Sequence, residues 1–453
     1  MSGRSLSVML VSICITTFEV SHAEQWPGET GTKLTVEKTA EAKITPVLEK
    51  KTDESKVPTA TSTPTPVPTP PAQTSQSKKK IESLEARLKV LEALIPKTTG
   101  EEADRVPASL RRDSLTEREE TKSSDLVISA IIEVGYSAFS DYSKVSGSDI
   151  TNDTVQIDIE KKLSDITAAR ITLVHKDGGD PDNKAFDVDE AFFILGKETG
   201  LFLKAGKIFV GSGNFNSEFI SNPFTQDLAE TNENAVAVGF RTETTELNVY
   251  TFNGDSNKMD SANKVRSFGA HLESTHKLSE TELKGTVSYL NNIAEADALG
   301  TTDVFTDKNA DTEVNDLNKL TQSVVVGLDA ENEYFVAHAE WFSTLAGFDK
   351  SDLDWNGEDA RVTALKLEAG VKTKLFEKDS LFMVGYQTSK EALKIGLPEL
   401  RWLAGLKVNI QENVELSYEF KYDEDYGLSE TSGGFTGTGG YAHTHSVLVG
   451  LSF

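Results

Sequence analysis

From Asp125 to Phe453 the chain keeps a hydrophobic period of two, and it divides into sixteen alternating runs joined by connections that are short and long in turn. The runs are 126–136, 153–163, 166–175, 186–196, 200–208, 234–243, 246–254, 264–278, 281–293, 320–331, 333–346, 359–373, 379–390, 399–411, 413–424 and 441–453. Tight links such as Ser164-Asp165, Thr244-Thr245, Ser279-Glu280, Asn332 and Glu412 separate long ones at 137–152, 176–185, 209–233, 255–263, 294–319, 347–358, 391–398 and 425–440. A soluble sandwich has no reason to sort its loops this way. A barrel crossing a membrane does, with short turns at the periplasmic rim and longer loops outside. The expected fold is therefore all-β, a transmembrane antiparallel β-barrel of about 16 strands, with both ends on the side of the short turns.

The faces of the runs sort as well. Val155/Ile157/Ile159, Ala169/Ile171/Leu173, Val236/Val238/Phe240, Val324/Val326/Leu328 and Leu416/Tyr418/Phe420 form apolar rows. Gln156/Asp158/Glu160, Arg170/Thr172 and Glu415/Ser417/Glu419/Lys421 form the polar rows opposite them. A barrel this wide cannot be filled by its own side chains, so the polar rows belong inside and the apolar rows outside. Strand parity then directs Arg170, Glu190, Lys204, Arg241, His338, Glu340, Lys366, Arg401 and Lys407 inward as pore-lining candidates, together with Lys284, Asp158, Glu160, Glu368 and Glu419. Such a mixture of signs gives no clear selectivity. Trp341 and Trp402 fall toward the outer ends of their strands and face outward, where an aromatic girdle sits. The last strand ends on Phe453, which resembles the signal read by the outer-membrane insertion machinery.

Everything before residue 125 has a different character. Arg4, an apolar run over 6–18 and the small-residue exit Ser21-His22-Ala23 read as a secretory signal peptide, residues 1–23, leaving a mature chain without Cys14 and so without cysteine. Residues 24–77, with Pro64-Thr65-Pro66-Val67-Pro68, read as a disordered Pro/Thr-rich tether. Over 78–95, Ile81, Leu84, Leu88, Leu91 and Ile95 recur at spacings of three and four, which is a coiled-coil seam. It either holds chains together as a homo-oligomer in the periplasm or docks on its own barrel. Pro96 ends it, and residues 96–124 form a charged linker before the barrel, 125–453. No apolar stretch reaches the length of a spanning helix. A mean hydropathy of −0.34 still suits barrel strands, whose faces alternate in polarity. A net charge of −26 argues against a nucleic-acid partner.

No convergent catalytic set emerges, so an enzyme is not expected, and neither is a cofactor. The histidines are scattered; His443 and His445 share one face of the last strand and read as a solvated pair at the outer rim, since a metal site needs three or four ligands. The most informative connection is 209–233. It mixes Asn214, Phe215, Asn222, Phe224 and Asp227 with small polar residues, and it either folds into the lumen as a constriction or remains at the surface.

Ala205-Gly206-Lys207-Ile208-Phe209-Val210-Gly211-Ser212-Gly213-Asn214-Phe215, then Ser221-Asn222-Pro223-Phe224-Thr225 and Leu228-Ala229-Glu230-Thr231, resemble the LbtU-family siderophore porins. Asp189-Glu190-Ala191-Phe192-Phe193, Thr251-Phe252-Asn253-Gly254-Asp255 and the order of leader, short coil and barrel fit the same pattern. Related pores usually carry Pro-Phe-Gly where this chain has Gly211-Ser212-Gly213. The resemblance implies an outer-membrane barrel set in lipid that passes a small solute, an iron-siderophore complex. Periodicity alone implies only a pore. Open alternatives are a general or anion-preferring diffusion porin and a structural anchor whose coil meets periplasmic partners.

The coil yields the first prediction. Replacing Leu84 and Leu88 by Asp should lower the oligomeric state of the detergent-purified chain in sedimentation equilibrium, because charges in the seam cannot pack. An unchanged mass would show that the coil is not the contact between chains.

Overall fold

The computed structural model describes residues 126–175, 186–258, 264–300, 304–305 and 315–453. The leader, both linkers and the coil seam lie outside the described residues. Each of the sixteen alternating runs forms a strand: β1 Leu126–Ser140, β2 Ser146–Ser164, β3 Thr167–His175, β4 Asp187–Gly196, β5 Gly200–Phe209, β6 Asn232–Arg241, β7 Thr245–Phe252, β8 Ser267–Leu278, β9 Thr281–Leu290, β10 Ser323–Glu331, β11 Phe335–Thr344, β12 Thr363–Leu375, β13 Lys378–Lys390, β14 Leu400–Gln411, β15 Val414–Glu424 and β16 Tyr441–Ser452. They pair antiparallel in chain order, and β1 pairs with β16 to close the barrel. Closure leaves no edge strand with unpaired backbone groups. Phe453 takes part: Ala130 N donates to its carbonyl at 2.7 Å, and its own N donates to Ala130 O at 3.0 Å.

One feature departs from the expected pattern. The connection expected at 137–152 is a tight hairpin, since β1 and β2 stay paired out to Ser140 and Ser146. Asp141 N donates to Val145 O at 2.9 Å, Val145 N returns to Asp141 Oδ1 at 2.8 Å, and Lys144 takes a φ of 65°. Residues 146–152 carry little apolar periodicity because strand pairing, not burial, holds them. The tight link expected between β12 and β13, Lys374–Lys378, is present, and in it Phe376 and Glu377 have φ of 50° and 65°. Those values belong to the mirror-image hairpin turn that Asn-Gly normally marks, so composition gives no sign of the turn's type.

The faces divide as parity requires. On β6, Val236, Val238 and Phe240 are 46%, 48% and 51% exposed, whereas Ala235 and Ala237 on the opposite face are buried. Trp341 and Trp402 also lie exposed on the outside, with Trp402 edge-on to Tyr386. The interior is polar along β2, β3 and β10–β15 but mixed along β4–β6, where Glu190, Lys204 and Arg241 share the face with apolar rings. There Phe192, Phe202 and Ile208 are buried against the alanine face of β6. This corrects the expectation of a uniformly polar lumen; the apolar patch receives the stem of the long connection after β5.

The role of Phe453 can be split. Phe453→Ala keeps both backbone bonds to Ala130 but loses the ring, and deletion of Phe453 loses both. If the ring is the insertion signal, both variants should reduce the heat-modifiable, folded band in outer-membrane fractions while export continues. A full yield of folded barrel from Phe453→Ala would assign the residue to closure alone.

Candidate functional site

Between β5 and β6, residues 210–231 turn into the barrel and cross to the opposite wall. The crossing begins where backbone passes close against a side chain of the wall. A Cβ on Gly211 would sit 2.4 Å from His271 Cβ on β8, and Tyr250 Oη donates to Gly211 O at 3.1 Å. Glycine is required there for close approach.

A segment outside any sheet carries N–H groups that need acceptors. Inward carboxylates on β10, β11, β12 and β15, with Gln387 on β13, supply acceptors to this segment. Asp329 on β10 accepts from the side-chain amides of Asn214 and, at 2.8 Å, Asn216. Glu340 on β11 accepts from Asn214 N at 2.9 Å, Phe215 N at 3.2 Å and Thr225 Oγ1 at 2.5 Å. Glu368 on β12 accepts from Ser217 Oγ at 3.0 Å and Glu218 N at 3.3 Å. Glu419 on β15 accepts from Ile220 N at 2.7 Å, Ser221 N at 3.0 Å and Ser221 Oγ at 2.5 Å. Gln387 on β13 accepts from Phe224 N at 3.0 Å.

Cations answer the loop's own acceptors. Lys366 Nζ donates to Asn216 O, Lys407 Nζ donates to Glu218 Oε2 at 2.8 Å, and Arg401 Nη1 donates to Asn222 O at 3.4 Å. Arg401 is fixed by a two-pronged pair with Asp423 at 2.7 and 3.2 Å, and its guanidinium lies 4.5 Å from the centre of the Phe224 ring. His338 Nδ1 meets Asp329 Oδ1 at 2.8 Å and its Nε2 stands 3.8 Å from Glu218 Oε1. Burial alone would raise the Glu218 carboxyl, but the His338 ring and the Lys407 ammonium hold it down at about 2. Asp227 goes the other way: burial pushes it up to about 6, against the pull of Arg401 and a hydrogen bond from Asn222.

Beyond these contacts, helix Phe224–Ala229 buries Phe224, Leu228 and Ala229 completely. They belong to an apolar cluster with Ile293, Leu299, Phe305, Phe348, Val362 and Leu397 from the other long connections.

All nine inward candidates face the interior, but they divide. His338, Glu340, Lys366, Arg401 and Lys407 grip the loop or the residues that hold it. Arg170 instead pairs with Asp158 at 3.0 Å and Glu190 at 3.8 Å, Arg241 pairs with Glu246 at 2.8 Å, and Lys204 lies over the Phe192 ring at 4.2 Å. Among the loop candidates, Asn214 docks by its side chain and Asn222 by its carbonyl. Phe215 and Phe224 are core residues, at 8% and 0% exposure, so neither ring lines a passage as its place in the loop had suggested. Glu218, Phe219, Ser221 and Thr225 were not foreseen, because nothing local distinguishes them from other loop residues. His443 and His445 both face outward near the start of β16, with His445 Nδ1 2.9 Å from Tyr418 Oη and its ring centre 5.0 Å from that of Phe420. Among the described residues no group of three or more His, Cys, Asp or Glu is arranged to hold a metal.

No family model matches the chain. It is 25% identical over 336 residues to a UPF0422 protein of Legionella pneumophila strain Philadelphia 1, covering 67% of this chain and 62% of that protein. A UPF0422 protein of Coxiella burnetii is 25% identical over 255 residues, covering 54% and 53%. The chain thus spans under two thirds of the length of these relatives. Similar solved structures are an anion-selective porin from Comamonas acidovorans (TM-score 0.49, 11% identity, 73% of this chain and all of that one) and the outer-membrane channel DcaP of Acinetobacter baumannii (0.49, 13%, 75% and all). Another is the OmpF of Salmonella typhi in complex with daunomycin (0.49, 12%, 73% and 98%).

The docking scheme makes a prediction at Glu340. Glu340→Ala strands three donors, each costing roughly 1–3 kcal/mol if left buried and unpaired. Amide exchange over 214–225 should accelerate while the barrel strands stay protected, and Glu340→Gln, which keeps an acceptor oxygen, should lose less. Wild-type protection in the Ala variant would remove Glu340 from the docking scheme.

Proposed function

We propose that this protein is an outer-membrane pore through which small polar solutes pass, with the 210–231 loop as its constriction. The observation that carries the proposal is the combination of an apolar outer face, a wide interior bearing charged side chains, and a loop bonded across that interior to β10–β15. Exposed Val, Leu and Phe rows around a closed barrel are tolerable in hydrocarbon and costly in water. Because the loop rests on β10–β15, the passage runs along the remaining wall, where β16, β1, β2 and β3 present Thr444, Ser446, Ser137, Asp158 and Arg170. Iron-siderophore complexes are the solute class suggested by the resemblance of the 205–231 region to siderophore porins.

The mechanism is passive. A solute enters the outer mouth, sheds part of its hydration at the constriction and leaves toward the periplasm down its gradient, with no covalent step and no cofactor. A pore of this kind selects by size and by field. Here the paired cations matter: Arg170, Arg241, Arg401 and Lys407 each face a carboxylate. Lys366 is held by a loop carbonyl, and Glu340 and Glu419 by hydrogen-bond donors, so charges of both signs remain in the lumen and selection rests on size at the constriction.

Two measurements test the proposal together. The purified full-length chain should give ion currents in planar bilayers, and deleting 214–229 should raise the single-channel conductance. Loss of the protein should slow growth on ferric chelates as the iron source. A protein without conductance, and whose loss leaves chelate uptake unchanged, would promote the anchoring alternative.

A further inference from the structure

Within the loop, Phe219 is set apart from the large apolar cluster. Its ring is buried in a small group of its own with Met383 and Leu403, and Leu381 packs against them. The seat beneath it is made by two glycines on adjacent strands. A Cβ built on Gly385 of β13 would lie 2.8 Å from Phe219 Cε2, and one on Gly405 of β14 would lie 3.1 Å from Phe219 Cε1. The register pairs Met383 with Gly405 and Gly385 with Leu403, so each glycine faces a large side chain across the ladder. The result is a slot the width of one ring, walled by Met383 and Leu403 and floored by bare backbone. Glycine inside a strand weakens it and often marks where another group must come close; here two of them accept one ring.

The neighbours of Phe219 explain why one apolar contact matters. Glu218 N and Ile220 N, on either side of it, bond to Glu368 and Glu419 on different strands. Each of those bonds ties a single backbone N–H to one strand, and together they fix direction better than depth. A ring in a slot fixes depth, because any displacement toward the pore axis exposes it to water and leaves a void that nothing else fills.

We propose that Phe219, seated over Gly385 and Gly405, is the positioning residue that sets how far the 210–231 loop stands from the wall, and hence the size limit of the pore. The constriction is then a permanent part of the wall and does not act as a gate. This inference rests on the pore reading above.

The test uses the full-length chain in planar bilayers and in proteoliposomes swollen with uncharged sugars of increasing size. Phe219→Ala should raise single-channel conductance, add open-channel noise and admit a sugar that the wild type excludes, with the heat-modifiable mobility of the barrel unchanged. Gly385→Ala alone should push the ring out and give the same phenotype. Combining Gly385→Ala with Phe219→Leu should restore the wild-type size limit, an outcome that a general loss of stability cannot produce. A conducting wild type whose size limit and noise are unmoved by Phe219→Ala and Gly385→Ala overturns the inference and leaves the pore standing. A pair of substitutions that fails to restore the limit overturns the ring-in-slot fit. A wild type that does not conduct overturns both.

Discussion

The structure depends on one constraint: a chain led through the inside of a barrel brings backbone donors that no sheet can satisfy. Glu340, Glu368 and Glu419, on β11, β12 and β15, meet it by presenting carboxylate oxygens to loop N–H groups, and Asp329 on β10 takes the side-chain amides of Asn214 and Asn216. Hydrogen bonds to charged acceptors are the stronger kind, about 1.5–3 kcal/mol each against about 1 for a neutral pair. Each carboxylate takes two or three donors, so the loop is held at several points along its length. Lys366, Arg401 and Lys407 complete the scheme from the opposite sign, binding the loop's carbonyls at Asn216 and Asn222 and its carboxylate at Glu218.

That arrangement changes what the charges of the interior mean. Parity alone makes every inward Lys, Arg, Asp and Glu an equal candidate for contact with solute. Once the loop is docked, those on β10–β15 are engaged in holding it, and the solute meets the wall of β16, β1, β2 and β3. The interior apolar patch on β4–β6 follows from the same cause. Ile208 and Phe192 line the place where the loop leaves the wall, and a polar row there would be buried without partners.

The fold was legible in the chain because period-two alternation and paired connection lengths are physical requirements of a closed sheet with one apolar face. The sixteen runs became sixteen strands. The exception is instructive. Residues 146–152 extend β2 by pairing with β1 and need no apolar residues to do so. The short link at Phe376 and Glu377 was legible as a link but not as a left-handed turn, since it contains no glycine. Of the site, parity identified Glu340, Lys366, His338, Arg401 and Lys407, since direction depends only on counting. Their task of holding the loop was hidden, because it depends on the path of 210–231 through space. The same holds for Phe219, whose seat exists only after β13 and β14 bring Gly385 and Gly405 side by side.

The claim that solute passes between the docked loop and the β16–β1 wall can be tested with one engineered thiol. Ser446 on β16 stands opposite Ser137 on β1, on the inward face, and the chain's single cysteine is Cys14, in the sequence before the barrel strands. Single-channel current through Ser446→Cys, in a chain with Cys14→Ser, should fall stepwise when a bulky charged thiol reagent is added, while the outward control Val447→Cys stays unaffected. A Ser446→Cys protein that is fully labelled and still conducts as before would contradict the account.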